Sequence, residues 1–97
     1  MPAPGRYRHG GNQMNQVKVR MYTLSTCGHC RAAKQFMADH GIDYEFVDVD
    51  LLQGEERKDM LREMRQYNPN TTFPTILIGD EVVVGNEESK LKAALGL

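Results

Sequence analysis

The chain has 97 residues, 40% of them hydrophobic, and sets 12 lysines and arginines against 13 aspartates and glutamates, a formal net charge of −1. That supplies one compact core and no second one. So even a balance excludes a field strong enough to gather nucleic acid or an anionic membrane surface, and no apolar run approaches a membrane span or the hydrophobic part of a leader. The expectation is a soluble, cytoplasmic, single-domain protein working as a monomer.

Residues 1–16 hold Pro2, Pro4, Gly5, Gly10 and Gly11 without periodicity, which predicts a flexible N-terminal tail ahead of a folded domain over 17–97. Arg6, Tyr7, Arg8 and His9 are read as part of that solvated tail rather than as a nucleic-acid arm, because nothing else in the chain is basic enough to support one. Residues 17–24 alternate and then turn apolar, the pattern of a strand entering a core. A helix follows over 31–40, with Ser25 and Thr26 as candidate cap hydroxyls and Ala33, Phe36, Met37 and His40 on one face. His40 is read as a packing residue at the negative end of the helix dipole, and Arg31 and Lys34 as solvated helix charges. Gly41 is the left-handed stop, and Ile42 can fold back onto the last turn.

Residues 44–50 are a second strand. A strand, a helix and a strand joined by short links form a right-handed unit with parallel strands. Residues 54–67 place Met60, Leu61, Met64 and Tyr67 on one side of an amphipathic helix, which Asn68-Pro69-Asn70 ends. Two short apolar runs, 73–78 and 81–84, flank Gly79-Asp80, a two-residue hairpin turn. After Gly85-Asn86 a last helix runs over 87–95, with Leu91, Ala94 and Leu95 facing inward and Gly96 as its stop.

The chemistry sits in Thr26-Cys27-Gly28-His29-Cys30, which holds the two cysteines of the chain. They lie between a strand and a helix. The first amides of a helix lack intrahelical partners and carry the positive end of its dipole, so a thiolate placed there is stabilised and becomes a usable nucleophile. A second thiol one turn away can then attack the mixed disulfide. As a structural bridge the pair would close only a tiny loop and restrict the unfolded chain little, so a redox role is the stronger reading. His29 has two readings. Partly positive, it stabilises the thiolate and makes the disulfide more oxidising; otherwise it is a solvent-exposed turn residue. Asp48 and Asp50 are read as acidic residues at a strand end, Asp50 as a cap, rather than as an acid–base pair.

Three features resemble the glutaredoxin branch of the thioredoxin superfamily: Cys27-Gly28-His29-Cys30 with Lys34 four residues on, Thr71-Thr72-Phe73-Pro74, and Val84-Gly85-Asn86-Glu87-Glu88. The resemblance implies an α/β, thioredoxin-like fold of glutaredoxin type, β-α-β-α-β-β-α, with a four-stranded mixed sheet flanked by three helices. It implies a dithiol–disulfide oxidoreductase in which Cys27 is the nucleophile, Cys30 the resolving thiol and Cys27–Cys30 the redox-active disulfide. It implies a cis Phe73–Pro74 bond, with Thr72, Phe73 and Pro74 beside the cysteines and the Phe73 backbone free to pair with a substrate strand. Gly85, Asn86 and Glu87 would join them in binding substrate or glutathione. Phe73 is read as an apolar wall next to Cys27, with a core position as the alternative.

The implied partners are a disulfide-containing protein substrate and an electron donor, with no tightly bound cofactor and no metal. Glutathione is the donor and co-substrate the family suggests. Leu24 and Asn70 stand where glutathione-binding members carry basic or amide groups for its glycine carboxylate. They favour an alternative, a small redoxin reduced by a thioredoxin-reductase-type flavoprotein and serving a ribonucleotide-reductase-like target. An alternative of another class is an iron–sulfur or metal carrier using the same cysteines. Zinc wants four ligands, so that reading needs ligands from a dimer or from bound glutathione.

Overall fold

The structure, a computed structural model, describes residues 8–10 and 17–97. In chain order the elements are β1 (Arg8–Gly10), β2 (Val19–Thr23), α1 (Gly28–Asp39), β3 (Tyr44–Asp48), a single 3-10 turn (Val49–Leu51), α2 (Gly54–Arg65), β4 (Thr75–Ile78), β5 (Glu81–Val84) and α3 (Glu88–Leu95). The sheet order is β1-β3-β2-β4-β5. β2 and β3 run parallel, as the crossover through α1 requires, and the other neighbours are antiparallel. The predicted β-α-β-α-β-β-α frame and its four-stranded mixed sheet are therefore present, with one strand added at the edge.

That strand corrects the reading of the tail at residues 8–10, which pair antiparallel with β3, Arg8 opposite Phe46 and Gly10 opposite Tyr44. The rest of 1–16 lies outside the described residues. The helix expected at 31–40 starts earlier, at Gly28, and ends at Asp39, the run at 81–84 keeps its bounds, and the remaining elements are shorter than the sequence pattern. The strand at 17–24 keeps 19–23, that at 44–50 gives way to the 3-10 turn after Asp48, and that at 73–78 starts at Thr75. The helix at 54–67 ends at Arg65, and the last helix starts at Glu88 with Glu87 as its cap.

The period of two divides the core between the faces of the sheet. Met21, Ile76 and Val83 lie in one cross-strand row, and with Ala33, Phe36, Met37 and Leu91 they form the core under α1 and α3. Tyr22, Val47 and Leu77 face the other way and pack with Val49, Met60 and Met64 under α2. Met60 and Met64 are fully buried, each contributing about 1.5–3 kcal/mol. α2 is also tied to the sheet by polar groups. The Tyr22 hydroxyl donates to Glu63 Oε2 at 2.6 Å, and Arg20 Nη2 donates to the same oxygen at 3.4 Å. Tyr67, placed on the apolar side by periodicity, lies beyond the helix, partly exposed, its ring stacked on Tyr22 with centroids 6.4 Å apart.

α1 ends as its sequence predicts. Gly41 takes φ 66°, and the Ile42 N–H donates to Met37 O at 2.9 Å. His40 is exposed but lies over Phe36, centroids 4.2 Å apart, with Nδ1 2.8 Å from Phe36 O. No helix among the described residues is long and apolar enough to cross a membrane.

Candidate active site

The register brings three segments to one end of the sheet. Tyr22 pairs with Thr75 and Thr75 with Val84. The chain leaving β2 toward Cys27, the chain entering β4 through Pro74, and the chain leaving β5 through Gly85 are thus neighbours. The Gly85 N–H donates to Pro74 O at 2.8 Å and closes two of them together. Gly85 has φ 86°, a conformation that favours glycine.

The helix start differs from the pattern expected of a hydroxyl cap. α1 begins at Gly28, and its cap is Cys27 itself, with φ −92° and ψ 121°, rather than Ser25 or Thr26. Cys27 Sγ accepts the Cys30 N–H at 3.2 Å, so the sulfur occupies the place of a capping oxygen. A negative charge on that sulfur is met by the amide and by the helix dipole. Ser25 has another task. Its N–H and hydroxyl donate to Asp50 Oδ1 and Oδ2 at 2.8 and 2.5 Å, which pins the approach to Cys27 onto the 3-10 turn after β3. The Ser25 hydroxyl, with its N–H and the nearby Arg57, holds the Asp50 carboxyl below its usual value. Asp50 is thus a clamp on the active loop and not a helix cap.

The two thiols are unequal. Cys27 is half-buried and Cys30 has no exposed surface. Burial first, then the contact with Cys27, pushes the Cys30 thiol up to about 12, against the smaller opposing pull of the Leu24 N–H, 3.5 Å from its sulfur, and of Lys34. One thiol can be reached from solvent; the other is held back as a neutral S–H. His29 is exposed on the first turn of α1, so it lies within the helix and not in the turn before it.

The Phe73–Pro74 bond is cis. Pro74 is fully buried and Thr72 exposed. Phe73 is half-buried and packs on the Tyr22, Met60 and Met64 cluster, so the core reading replaces the wall. The loop is organised by Asn68, which in sequence reads only as a helix stop. Asn68 is buried, and Nδ2 lies 3.2 Å from Thr72 O and 3.0 Å from the hydroxyls of Thr72 and Thr75. Its Oδ1 accepts the Asn70 N–H at 3.2 Å. Thr71 sits at φ 48°, unusual for a β-branched residue, with its N–H on Asn68 O at 3.0 Å. The signal for Asn68 is an amide directly after a helix and ahead of Thr-x-Pro, a pattern whose meaning emerges only once the loop is folded.

Lys34 departs from expectation: neither it nor Asp48, which ends β3 as expected, is a solvated charge. Lys34 Nζ is 3.2 Å from Asp48 Oδ1 and 3.8 Å from the centroid of the Phe46 ring, and both charged side chains are mostly buried. The Thr23 hydroxyl is 2.6 Å from the same Asp48 oxygen. At the third segment, Asn86 Oδ1 is buried without a hydrogen-bond partner among the described residues, and Glu87 is exposed and paired with Lys90 at 2.9 Å. Leu24 is half-buried and Asn70 exposed.

Fold and site together define a thioredoxin-fold dithiol protein. A family model described as Glutaredoxin matches residues 19–83. The solved glutaredoxin of Methanosarcina mazei Go1 superposes with a TM-score of 0.82 at 37% identity, covering 95% of this chain and 89% of that one. Methanoredoxin of Methanosarcina acetivorans gives a TM-score of 0.81 at 36% identity, covering 90% of each chain. Glutathione S-transferase Z1 of Arabidopsis thaliana is 31% identical over 68 residues, 70% of this chain, which spans 28% of that enzyme's length. The chain belongs to the glutaredoxin family.

Proposed function

We propose that the protein is a dithiol–disulfide oxidoreductase that reduces protein disulfides or glutathione mixed disulfides, and so serves electron transport and cell redox homeostasis. The inequality of its thiols supports this reading best: Cys27 is reachable and caps a helix, while Cys30 is buried one turn behind it. The Cys27 thiolate attacks a substrate disulfide, an S–S bond forms to Cys27, and the first substrate sulfur leaves with the electron pair. Cys30 then loses its proton and attacks Cys27 Sγ. The Cys27–Cys30 bond forms, the bond to the second substrate sulfur breaks, and that sulfur leaves. Two protein thiols are oxidised and one substrate disulfide becomes two thiols.

The reaction needs no tightly bound cofactor, and a second subunit adds nothing to either step, so the working form is a monomer. Regeneration of the dithiol calls for a reducing compartment such as the cytoplasm. For the donor, Leu24 offers no charge to a carboxylate, and Asn70 offers only an exposed, uncharged side-chain amide, its backbone N–H being taken by Asn68 Oδ1. These two positions favour a flavoprotein disulfide reductase over glutathione, and a ribonucleotide-reductase-like protein is then a fitting acceptor. Gly85 and Asn86 remain the candidates for gripping a carboxylate or a substrate strand. A metal or cluster carrier would need most of its ligands from outside the chain, since Cys27 is the reachable thiol of the pair.

The test is equilibration in a series of glutathione redox buffers, alkylation of free thiols and weighing of the products over time. Fast, reversible conversion of both cysteines supports the glutathione-linked form. Slow conversion, with rapid reduction by a flavoprotein disulfide reductase, supports the redoxin form. Thiols that resist alkylation until a chelator is added overturn both.

A further inference from the structure

The half-buried pair Lys34–Asp48 lies on the inner side of the active helix, and the reaction as described gives it no task. Lys34 is four residues beyond Cys30 on α1, hence one turn further along the same face. Its ammonium is not free to swing into solvent. Asp48 Oδ1 holds it at 3.2 Å and the Phe46 ring lies 3.8 Å below it. Asp48 is itself positioned by Thr23, whose hydroxyl lies 2.6 Å from Asp48 Oδ1 and 3.1 Å from Val47 O. Thr23 in turn precedes Leu24, whose N–H meets Cys30 Sγ at 3.5 Å. A single chain of contacts therefore runs from the resolving sulfur through the end of β2 to the carboxylate and the ammonium.

A fixed cation in a low-dielectric setting costs two groups their hydration, and a solvated lysine would serve the helix as well. We propose that Lys34, held by Asp48 and Thr23, is a positioning residue for the second half of the reaction: its fixed charge favours ionisation of Cys30 when that thiol must attack the mixed disulfide at Cys27. The inference rests on the dithiol reading above and deepens it. The groups facing Cys30 sort by element. On α1 they are Cys27, which opposes its ionisation, and Lys34, which favours it; past the end of β2 the Leu24 N–H favours it too, and Asp48 on β3 is the lysine's partner at 3.2 Å. The assignment also gives the two cysteines separate supports: helix-start amide and dipole for Cys27, a buried cation for Cys30.

The charge acts on the second step and not on the first. Raising the ionisation point of a thiol by about one unit cuts its thiolate tenfold, but the remaining thiolate is about threefold more nucleophilic, so the rate falls about threefold. The experiment mixes reduced protein with a small aromatic disulfide and follows both thiol releases by stopped flow. The first release reports attack by Cys27, the second resolution by Cys30. Lys34→Met is expected to slow the second release about threefold or more while the first changes less than twofold. Lys34→Arg, which keeps the charge, is expected to restore the second release. Lys34→Gln keeps a donor for Asp48 without the charge and should behave as Lys34→Met does; it also serves should the methionine variant fail to fold.

In a Cys27→Ser background, the alkylation rate of Cys30 below pH about 9 should fall with both neutral variants and recover with arginine, which a merely structural lysine would not produce. Equal second-release rates in wild type, Met and Gln variants overturn the role of Lys34, as does a loss in Lys34→Gln that Lys34→Arg shares. Absence of any first release from the wild-type protein overturns the dithiol reading instead, so the two failures are distinct.

Discussion

Replacing Asn68 by alanine isolates the residue that shapes the proline loop. The side chain supplies two Nδ2 hydrogens shared among three oxygens, and its Oδ1 takes the Asn70 N–H. Three bonds are lost at about 1 kcal/mol net each, so the variant should lose about 3 kcal/mol. For a domain of this size that lowers the melting temperature by about 12–18 °C. Thr75 keeps its own bond to Thr72 O at 2.8 Å, so no buried hydroxyl is orphaned and the loss should not run far above that figure. The assay is urea and thermal unfolding of the reduced protein by circular dichroism, with disulfide reduction measured alongside. Activity should fall more than stability alone explains, because Thr72, Phe73 and Pro74 lose their anchor beside the cysteines. Asn68→Asp keeps the acceptor but not the donor, and should be no better than alanine. A loss below about 1 kcal/mol in the alanine variant, or rescue by aspartate, would show that the loop is held by other means.

Two further outcomes concern the ionisable groups. At about pH 8, alkylation of the native dithiol should modify Cys27 and spare Cys30, whose thiol is both buried and pushed up to about 12; labelling of Cys30 at a comparable rate, read by peptide mass, would contradict its burial. Asp50 is held below its usual value by Ser25. A depressed carboxylate contributes stability above its unfolded value of about 3.9, and that contribution is lost as pH falls through the folded one. Asp50→Asn should therefore be less stable than wild type at neutral pH, and the gap should close toward about pH 3; urea midpoints that differ equally at both ends of that range would refute the clamp.

The frame was legible because its signals are local. The helix start at the cysteines, the Gly41 stop with Ile42 folding back, the Gly79-Asp80 hairpin and Gly96 each act over a few residues. What escaped was non-local. Three residues of β1 carry no period, and β3, their partner, lies far along the chain. Ser25 resembles a cap because a hydroxyl ahead of a helix often is one, but Asp50, 25 residues away in sequence, claims it and leaves the sulfur to do the capping. Asn68 and Lys34 read as a helix stop and a surface charge until Thr75 and Asp48 arrive from other strands. The contacts of Asp48 and Asp50 that shape the site join segments far apart in the chain, and periodicity is blind to them.

The short strand at residues 8–10 has a consequence for how copies of the molecule meet. By pairing with β3 it occupies one margin of the sheet, and among the described residues β5 is left as the other margin with an open backbone ladder. Open ladders invite a neighbouring chain to add a strand, the usual route to fibrils and swapped dimers. Here that ladder is only four residues long, starts at the charge of Glu81, and ends at Gly85, whose N–H is already taken by Pro74. The fold thus leaves two brief margins for strand addition among the described residues, three residues of β1 and four of β5, and the β5 margin leads directly into the redox site with both of its ends guarded.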